Sequence, residues 1–288
     1  SRARAEGTAR QVGERSNGMQ AVILCGGQGT RLRELTHACP KPLVEIGDRP
    51  ILWHIMQGYA HHGVRKFVLC LGYKGHMIKQ YFLNYDLMNS DFTMHIGSRV
   101  ECAMHGPPPG PTLEVTLADT GASTMTGGRI ARARRYVEGD TFLATYGDGL
   151  ADVDLRALMA FHRSHGRLAT VTAVRPESRF GVLELGEDGR ANRFAEKPRL
   201  DGWINAGFFV FDRRVLDYLG GDECILEREP LERLAEEGEL MAYRHDGFFH
   251  AMDTHRDYEA LNGIWDRGEA PWKVWGEGEG RHGLLLAG

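Results

Sequence analysis

One stretch constrains this chain more than any other: the run from Met19 to Arg31, where a short apolar segment ends in closely spaced glycines. Ala21 to Cys25 is rich in β-formers and reads as a strand buried on both faces. Gly26, Gly27 and Gly29 then allow a tight loop whose backbone N–H groups can approach an anion with no side chain in the way. Arg31 adds a planar cation suited to phosphate oxygens. In open α/β sheets, ligands bind at the C-terminal ends of the strands, where such a loop would sit. The loop fits neither common phosphate template. Gly27-x-Gly29 lacks the third glycine of the dinucleotide fingerprint, and no Gly-Lys-Ser/Thr follows as in a P-loop. A glycine-rich turn without a ligand is the plain alternative.

The chain beyond the loop alternates strand and helix. Pro40 and Pro42 flank Lys41 and are expected to hold it on a stiff, extended segment, ten residues after Arg31. Alone it would be a surface lysine, but beside a phosphate loop it is better explained as a second phosphate contact. Asp48 and Pro50 open a helix with Ile51, Leu52, Ile55, Met56 and Tyr59 on one face, closed by Gly63. Val64 to Leu71 is a second strand, which makes a parallel crossover unit. Alternation at Phe92, Met94 and Ile96, and again at Leu113, Val115 and Leu117, predicts strands of an insertion or an edge. A loop of small and hydroxyl residues around Asp119 to Arg129 feeds a helix from about Ile130 to Val137. Thr141 to Tyr146 is a buried strand ending in Gly147-Asp148-Gly149, where an aspartate can reach a cation over the sheet edge or simply serve a turn. Leu168 to Val174 is a further strand, and Val182 to Arg190 is a hairpin turning at Asp188-Gly189. Glu196-Lys197-Pro198 sets a second lysine ahead of a proline. Asn205-Ala206-Gly207 leads into the apolar strand Phe208 to Phe211. An acidic helix lies around Glu227 to Glu239, and a last helix after Asp253-Thr254 buries Tyr258, Leu261, Ile264 and Trp265.

Composition excludes several classes. With 35 Lys and Arg against 39 Asp and Glu, a net charge of −4 argues against a nucleic-acid-coating protein. The five cysteines are scattered, with no Cys-x-x-Cys pair, as expected of free thiols in the cytoplasm. No apolar run is long enough for a transmembrane helix. His61-His62 and His162-x-x-His165 lack a third ligand and read as helix-surface residues rather than a zinc site. No Gly-x-Ser-x-Gly elbow supplies a covalent nucleophile. Asp152-Val153-Asp154 formally matches a glycosyltransferase metal motif, but its position entering a helix reads as an N-terminal cap. Residues 1–18 are polar and precede a methionine, as an added tag would, and 276–288 reads as a flexible tail. One domain is expected over 19–275.

Taken together, the motifs resemble the sugar-1-phosphate nucleotidyltransferases, and within them the cytidylyl branch. The residues that carry the resemblance begin with the Leu24-Cys25-Gly26-Gly27-Gln28-Gly29-Thr30-Arg31-Leu32 loop and Pro40-Lys41-Pro42-Leu43. They continue through Glu45-Ile46-Gly47, Gly72-Tyr73-Lys74-Gly75, Asp119-Thr120-Gly121, Met125-Thr126-Gly127-Gly128-Arg129 and Tyr146-Gly147-Asp148-Gly149. Arg179-Phe180-Gly181, Glu196-Lys197-Pro198, Asn205-Ala206-Gly207 and Met252-Asp253-Thr254 complete them. The resemblance implies a Rossmann-like, mostly parallel α/β sheet flanked by helices, with a β-rich, sugar-binding second half. It implies CTP and a sugar 1-phosphate, most simply glucose 1-phosphate, as substrates, Mg²⁺ as cofactor, and a homo-oligomer. Arg31 and Lys41 would then meet the triphosphate and the leaving pyrophosphate, and Asp148 and Asp253 would hold the metal. Leu24 to Thr30, with Thr120, Thr126, Gly127 and Gly147, would take the nucleotide. Lys197 would take the sugar phosphate, with Gly181, Glu196 and Asn205 on the sugar. Uridylyl, thymidylyl or guanylyl transfer, or a non-catalytic nucleotide-sugar-binding paralogue, are the alternatives. Cys39 stands where the cytidylyl branch often carries another lysine.

Overall fold

The structure, a computed structural model, describes residues 19–97, 101–106, 111–178 and 180–276. The expected tag, Arg179, part of the Gly106 to Pro111 loop and the tail from residue 277 lie outside the described residues. One seven-stranded sheet organises the rest. Its strands are β1 (Gln20–Cys25), β2 (Lys66–Leu71), β3 (Glu114–Asp119), β4 (Thr141–Tyr146), β5 (Ala169–Val174), β6 (Ile204–Asp212) and β7 (Leu240–His245), in the order β7-β5-β6-β4-β1-β2-β3. All neighbouring pairs are parallel except those made by β6, which runs antiparallel to β4 and β5. β1 is an inner strand, with β2 on one side and β4 on the other, so the chain reverses its direction of winding there. Such a switch point opens a crevice at the C-terminal ends of the strands. The reversed β6 begins at that same edge, which brings Asn205 to the side of the sheet where β4 ends.

The helices α1 (Ile51–His61), α2 (Gly75–Leu83), α3 (Thr126–Ala133), α4 (Leu155–His165), α5 (Glu229–Glu236) and α6 (His255–Asp266) cover the sheet. Alternation along β1 explains why two cores form. Ala21, Ile23 and Cys25 join α1, Trp272 and Trp275 on one face, while Val22 joins Ile130, Phe209, Phe211 and Leu234 on the other.

The Leu113 to Leu117 alternation is an edge strand as expected, β3 of the main sheet, and among the described residues Asp91–His95 pairs only with Glu101–His105. Other expectations are corrected. α3 starts four residues before Ile130, at Thr126, and gives way to a 3₁₀ turn at Arg134–Tyr136. Lys41 is not on an extended segment: Lys41–Leu43 forms a 3₁₀ turn, which Pro42 tolerates because a first-turn residue needs no N–H partner. His162 is not a surface residue but buried, with its Nδ1 2.8 Å from Thr170 Oγ1.

A buried histidine also ties distant parts of the chain together. His54 is 1% exposed, its Nε2 lies 2.9 Å from the Ile46 carbonyl, and Trp272 Nε1 donates to its Nδ1 at 3.4 Å. Burial, only partly offset by the Ile46 hydrogen bond, lowers its pKa to about 4 from 6.5. Between those values the unfolded chain binds the proton and the folded chain does not. Stability should therefore fall as pH drops from 6.5 towards 4, with a slope of about 1.4 kcal/mol per pH unit from this group. His162, lowered to about 4 by burial and then by His165, acts in the same direction. Urea midpoints at pH 7 and pH 5 measure the effect. His54→Gln is expected to flatten the dependence, and an unchanged pH dependence in that variant would contradict it.

Candidate active site

The glycine loop is shaped from beneath by an arginine for which the sequence reading gave no role. Arg129, 5% exposed on α3, donates to the carbonyls of Leu71 at 3.1 Å, Gly121 at 2.7 Å and Gly26 at 3.0 Å, and to Thr120 Oγ1 at 3.0 Å. It thus clamps the ends of β1 and β2 and the loop after β3 with one rigid fork. A Cβ on Gly26 or Gly72 would strike this guanidinium, which is why glycine is needed at both. Gly29 has φ +61, a conformation that β-carbons disfavour, while a Cβ on Gly27 would meet nothing within 4 Å. Gly27 therefore leaves open space against bare backbone. Burial pushes the Cys25 thiol well above its ordinary value, so it sits there as a small neutral side chain.

The charged centre is a lysine held between two carboxylates. Lys41 Nζ lies 2.7 Å from Asp148 Oδ2 and 2.7 Å from Asp253 Oδ1. Burial alone would lower its pKa, but Asp148 first and then Asp253 outweigh that and hold the ammonium above its ordinary value. Two local features bring together aspartates far apart in the chain. The short strands Gly149–Ala151 and Phe249–Ala251 pair antiparallel with Gly149 opposite Ala251, and Met252 N–H donates to the Asp148 carbonyl at 2.9 Å. Beyond that, Asp257 Oδ2 accepts from the N–H groups of Asp253 at 3.1 Å and Thr254 at 2.8 Å, closing a capping box on α6. Arg31 is exposed, and its nearest carboxylate is Asp253 at 3.8 Å.

Two clefts meet at this centre. The first, of about 390 Å³, is walled by Leu24 to Gly29, Ala122 to Thr126, Arg129 and the Tyr146 to Asp148 strand end, with Lys41 and Pro42. The second, of about 750 Å³, lies across Asp253 and is lined on its far side by Lys197, Arg199, His245 and His250. Of the residues expected at the nucleotide, Leu24, Cys25, Gly26, Gly27, Gln28, Gly29, Lys41, Thr126 and Gly147 line the first cleft, whereas Thr30, Arg31, Thr120 and Gly127 do not. Thr120 is fully buried, donating to the Leu71 carbonyl at 2.7 Å and accepting from Arg129, so it supports the floor. Gly127 lets α3 pack against Cys224, whose carbonyl a Cβ there would meet at 3.0 Å. Of those expected at the sugar, Lys197 lines the second cleft, while Gly181, Glu196 and Asn205 stand outside its walls. Lys197 has φ 47, one of two left-handed non-glycine residues among those described. Asp154 caps α4 as expected, accepting from Arg156 N at 2.9 Å and Ala157 N at 3.1 Å. Asp152 instead accepts from Phe248 N at 2.7 Å and ties down the β7 exit.

The donor set suits a hard cation. Asp148 and Asp253 supply two carboxylates at one point between the clefts, and Mg²⁺ typically takes one or two carboxylates and completes its shell with phosphate and water oxygens. Among the described residues, no group of three or more His, Cys, Asp or Glu is gathered for a metal. No helix among them is long and apolar enough to cross a membrane.

The chain has relatives among known proteins. Residues 20–247 match the family described as Nucleotidyl transferase. The glucose-1-phosphate cytidylyltransferase of Salmonella typhi is 52% identical over 260 residues, spanning 89% of this chain and 100% of the relative. The mannose-1-phosphate guanylyltransferase catalytic subunit beta of Drosophila pseudoobscura pseudoobscura is 31% identical over 254 residues, 86% of this chain and 62% of that one. The structure of HddC from Yersinia pseudotuberculosis complexed with GMP-PN superposes with a TM-score of 0.64 at 23% identity, covering 86% of this chain and 99% of that one, a likeness of fold.

Proposed function

The chain belongs to the nucleotidyl transferase family, and on that premise we propose that it transfers a cytidylyl group from CTP to glucose 1-phosphate, releasing pyrophosphate. The observation that carries the reading is the junction of two clefts at Lys41, Asp148 and Asp253. A phosphate dianion arriving through one cleft can there face the α-phosphorus of a triphosphate held in the other. A sugar-phosphate oxygen forms the new P–O bond as the bond to the bridging β-oxygen breaks, and pyrophosphate carries the electron pair away. No protein nucleophile is required, so the residues act by position and charge.

Their roles follow from their places. The Gly26 to Gly29 backbone, held from below by Arg129, receives the triphosphate. Lys41 neutralises charge at the reacting centre, and the exposed Arg31 is free to swing onto the outer phosphates. Asp148 and Asp253 would hold a divalent cation, Mg²⁺ in our reading, which would supply Lewis-acid neutralisation of phosphate charge. Thr126 faces the nucleotide, Lys197 the sugar phosphate and Asn205 the sugar hydroxyls. The single domain over 19–275, a homo-oligomer and a cytoplasmic location complete the proposal. The exposed Leu83, Met88 and Ile96 support self-association, and five free cysteines support a reducing compartment.

The reaction type is tested by labelling. With [α-³²P]CTP and glucose 1-phosphate, the label is expected in the nucleotide sugar and none in pyrophosphate; label lost to inorganic phosphate or CMP alone would refute the transfer.

The Lys197 role carries its own prediction. Lys197→Ala is expected to raise the KM for glucose 1-phosphate roughly tenfold or more, the scale of a lost charge-assisted hydrogen bond, with the KM for CTP little changed. Loss of CTP binding with sugar-phosphate binding intact would reverse the assignment.

A further inference from the structure

A carboxylate that lines neither cleft holds two residues that wall the first. Glu227 lies in the loop before α5, and that loop packs on α3: Met125 N–H donates to the Asp222 carbonyl at 2.7 Å and Gly128 N–H to the Cys224 carbonyl at 3.0 Å. Glu227 Oε2 accepts the Thr126 hydroxyl at 2.7 Å, and Thr126 Oγ1 in turn accepts from Leu226 N–H at 2.9 Å. Glu227 Oε1 accepts the Tyr146 hydroxyl. That leaves Tyr146 only acceptor capacity, which it offers to Asn205 Nδ2 at 3.5 Å, while Asn205 Oδ1 is fixed by Gly207 N–H at 2.7 Å. The Tyr146 ring has one place to lie. It packs edge-on against Phe209 with centroids 5.9 Å apart, and a Cβ on Gly207, at φ +78, would strike it.

We infer that Glu227 is a positioning residue that sets the two substrate sides together, orienting Thr126 for the nucleotide and, through Tyr146, Asn205 for the sugar. A carboxylate is suited to the task because it only accepts, so both hydroxyls must turn their protons towards it. Their lone pairs are thereby aimed elsewhere, Thr126 at Leu226 and Tyr146 at Asn205. Thr126 and Tyr146 both wall the first cleft, and it is the Tyr146 hydroxyl that carries the contact on to Asn205. The inference rests on the reading of Thr126 as nucleotide-side and Asn205 as sugar-side.

The test is initial-rate kinetics on the full chain with CTP and glucose 1-phosphate, for Glu227→Ala, Thr126→Val, Tyr146→Phe and Asn205→Ala, each checked for melting temperature. Thr126→Val is expected to raise the CTP KM, and Tyr146→Phe, which keeps the ring on the first cleft and loses only the hydroxyl that holds Asn205, chiefly the glucose 1-phosphate KM. Glu227→Ala should raise both, each by roughly tenfold, the scale of one hydrogen bond to a charged group. Asn205→Ala should raise the glucose 1-phosphate KM like Tyr146→Phe. A Glu227→Ala enzyme with both KM values within twofold of wild type, or with only a lower melting temperature and kcat, overturns the inference. If Asn205→Ala leaves the glucose 1-phosphate KM unchanged, the sugar-side reading itself fails and the inference falls with it.

Discussion

Lys41→Met is expected to lower kcat by roughly 10²–10³-fold, the scale of losing one preorganised charge contact to the transition state. The ammonium lies 2.7 Å from a carboxylate oxygen of each aspartate, and the nearest ion pair from another cation to either is that of Arg31, 3.8 Å from Asp253. Arg31 is 79% exposed at its side chain, against 11% for Lys41, so it is hydrated where Lys41 is held. Removing Lys41 takes from the two partly buried carboxylates the ammonium they share and leaves less positive charge at the reacting centre as a phosphate dianion approaches. Methionine keeps about the length and apolar character of the stem, so the fold should survive. Lys41→Arg should not restore the rate, because a guanidinium is wider than an ammonium and cannot meet two carboxylates at the same point. Steady-state kcat at saturating substrates, with circular dichroism as the control, measures the effect. A Lys41→Met enzyme within threefold of wild type would contradict the assignment.

The second expectation treats Asp148 and Asp253 as one site. Asp148→Asn and Asp253→Asn should each cost about 10²-fold or more in kcat. The double variant should cost scarcely more than either single one, because groups that hold one cation fail together. The loops that carry them are fixed by backbone contacts the substitutions do not touch: Met252 N–H on the Asp148 carbonyl, and Asp253 N–H on Asp257. Asparagine keeps the shape, so melting temperatures should move little. Manganese binding by the free protein, followed by paramagnetic resonance, gives a readout independent of turnover and should weaken in both single variants. Multiplicative losses in the double variant would place the two aspartates in separate roles, and near-normal Mg²⁺-dependent turnover in either single variant would remove the shared site.

Much of this arrangement is legible in the sequence because local rules and global fold agree there. An apolar run ending in Gly26-Gly27 and another ending in Gly147-Asp148-Gly149 can only be buried strands delivering loops to one sheet edge. The parallel pairing of β1 with β4 brings those two loops side by side. What escapes a reading of the chain is whatever depends on contacts between distant segments. Arg129 belongs to a quoted motif, yet nothing local says that its fork reaches back to Gly26 and Leu71. The acidic stretch around Glu227 reads as a solvated helix face, whereas Glu227 precedes the helix and is claimed by Thr126 and Tyr146. Lys41 is a subtler case. Flanking prolines suggest extension, but the second lies in a first helical turn where it is tolerated, and the resulting 3₁₀ turn directs the ammonium to the two aspartates. Thr120 and Gly127 carry the features of a ligand loop, a hydroxyl and a missing Cβ. The structure uses both for packing, Thr120 under Arg129 and Gly127 against Cys224.

The most direct test of the account is a matrix of initial rates, with CTP, UTP, dTTP, GTP and ATP each combined with glucose 1-phosphate and other hexose 1-phosphates, read as pyrophosphate release. CTP with glucose 1-phosphate is expected to give the highest kcat/KM of all pairs. A preference of about tenfold or more for another triphosphate, a difference of about 1.4 kcal/mol in transition-state binding, would contradict the account.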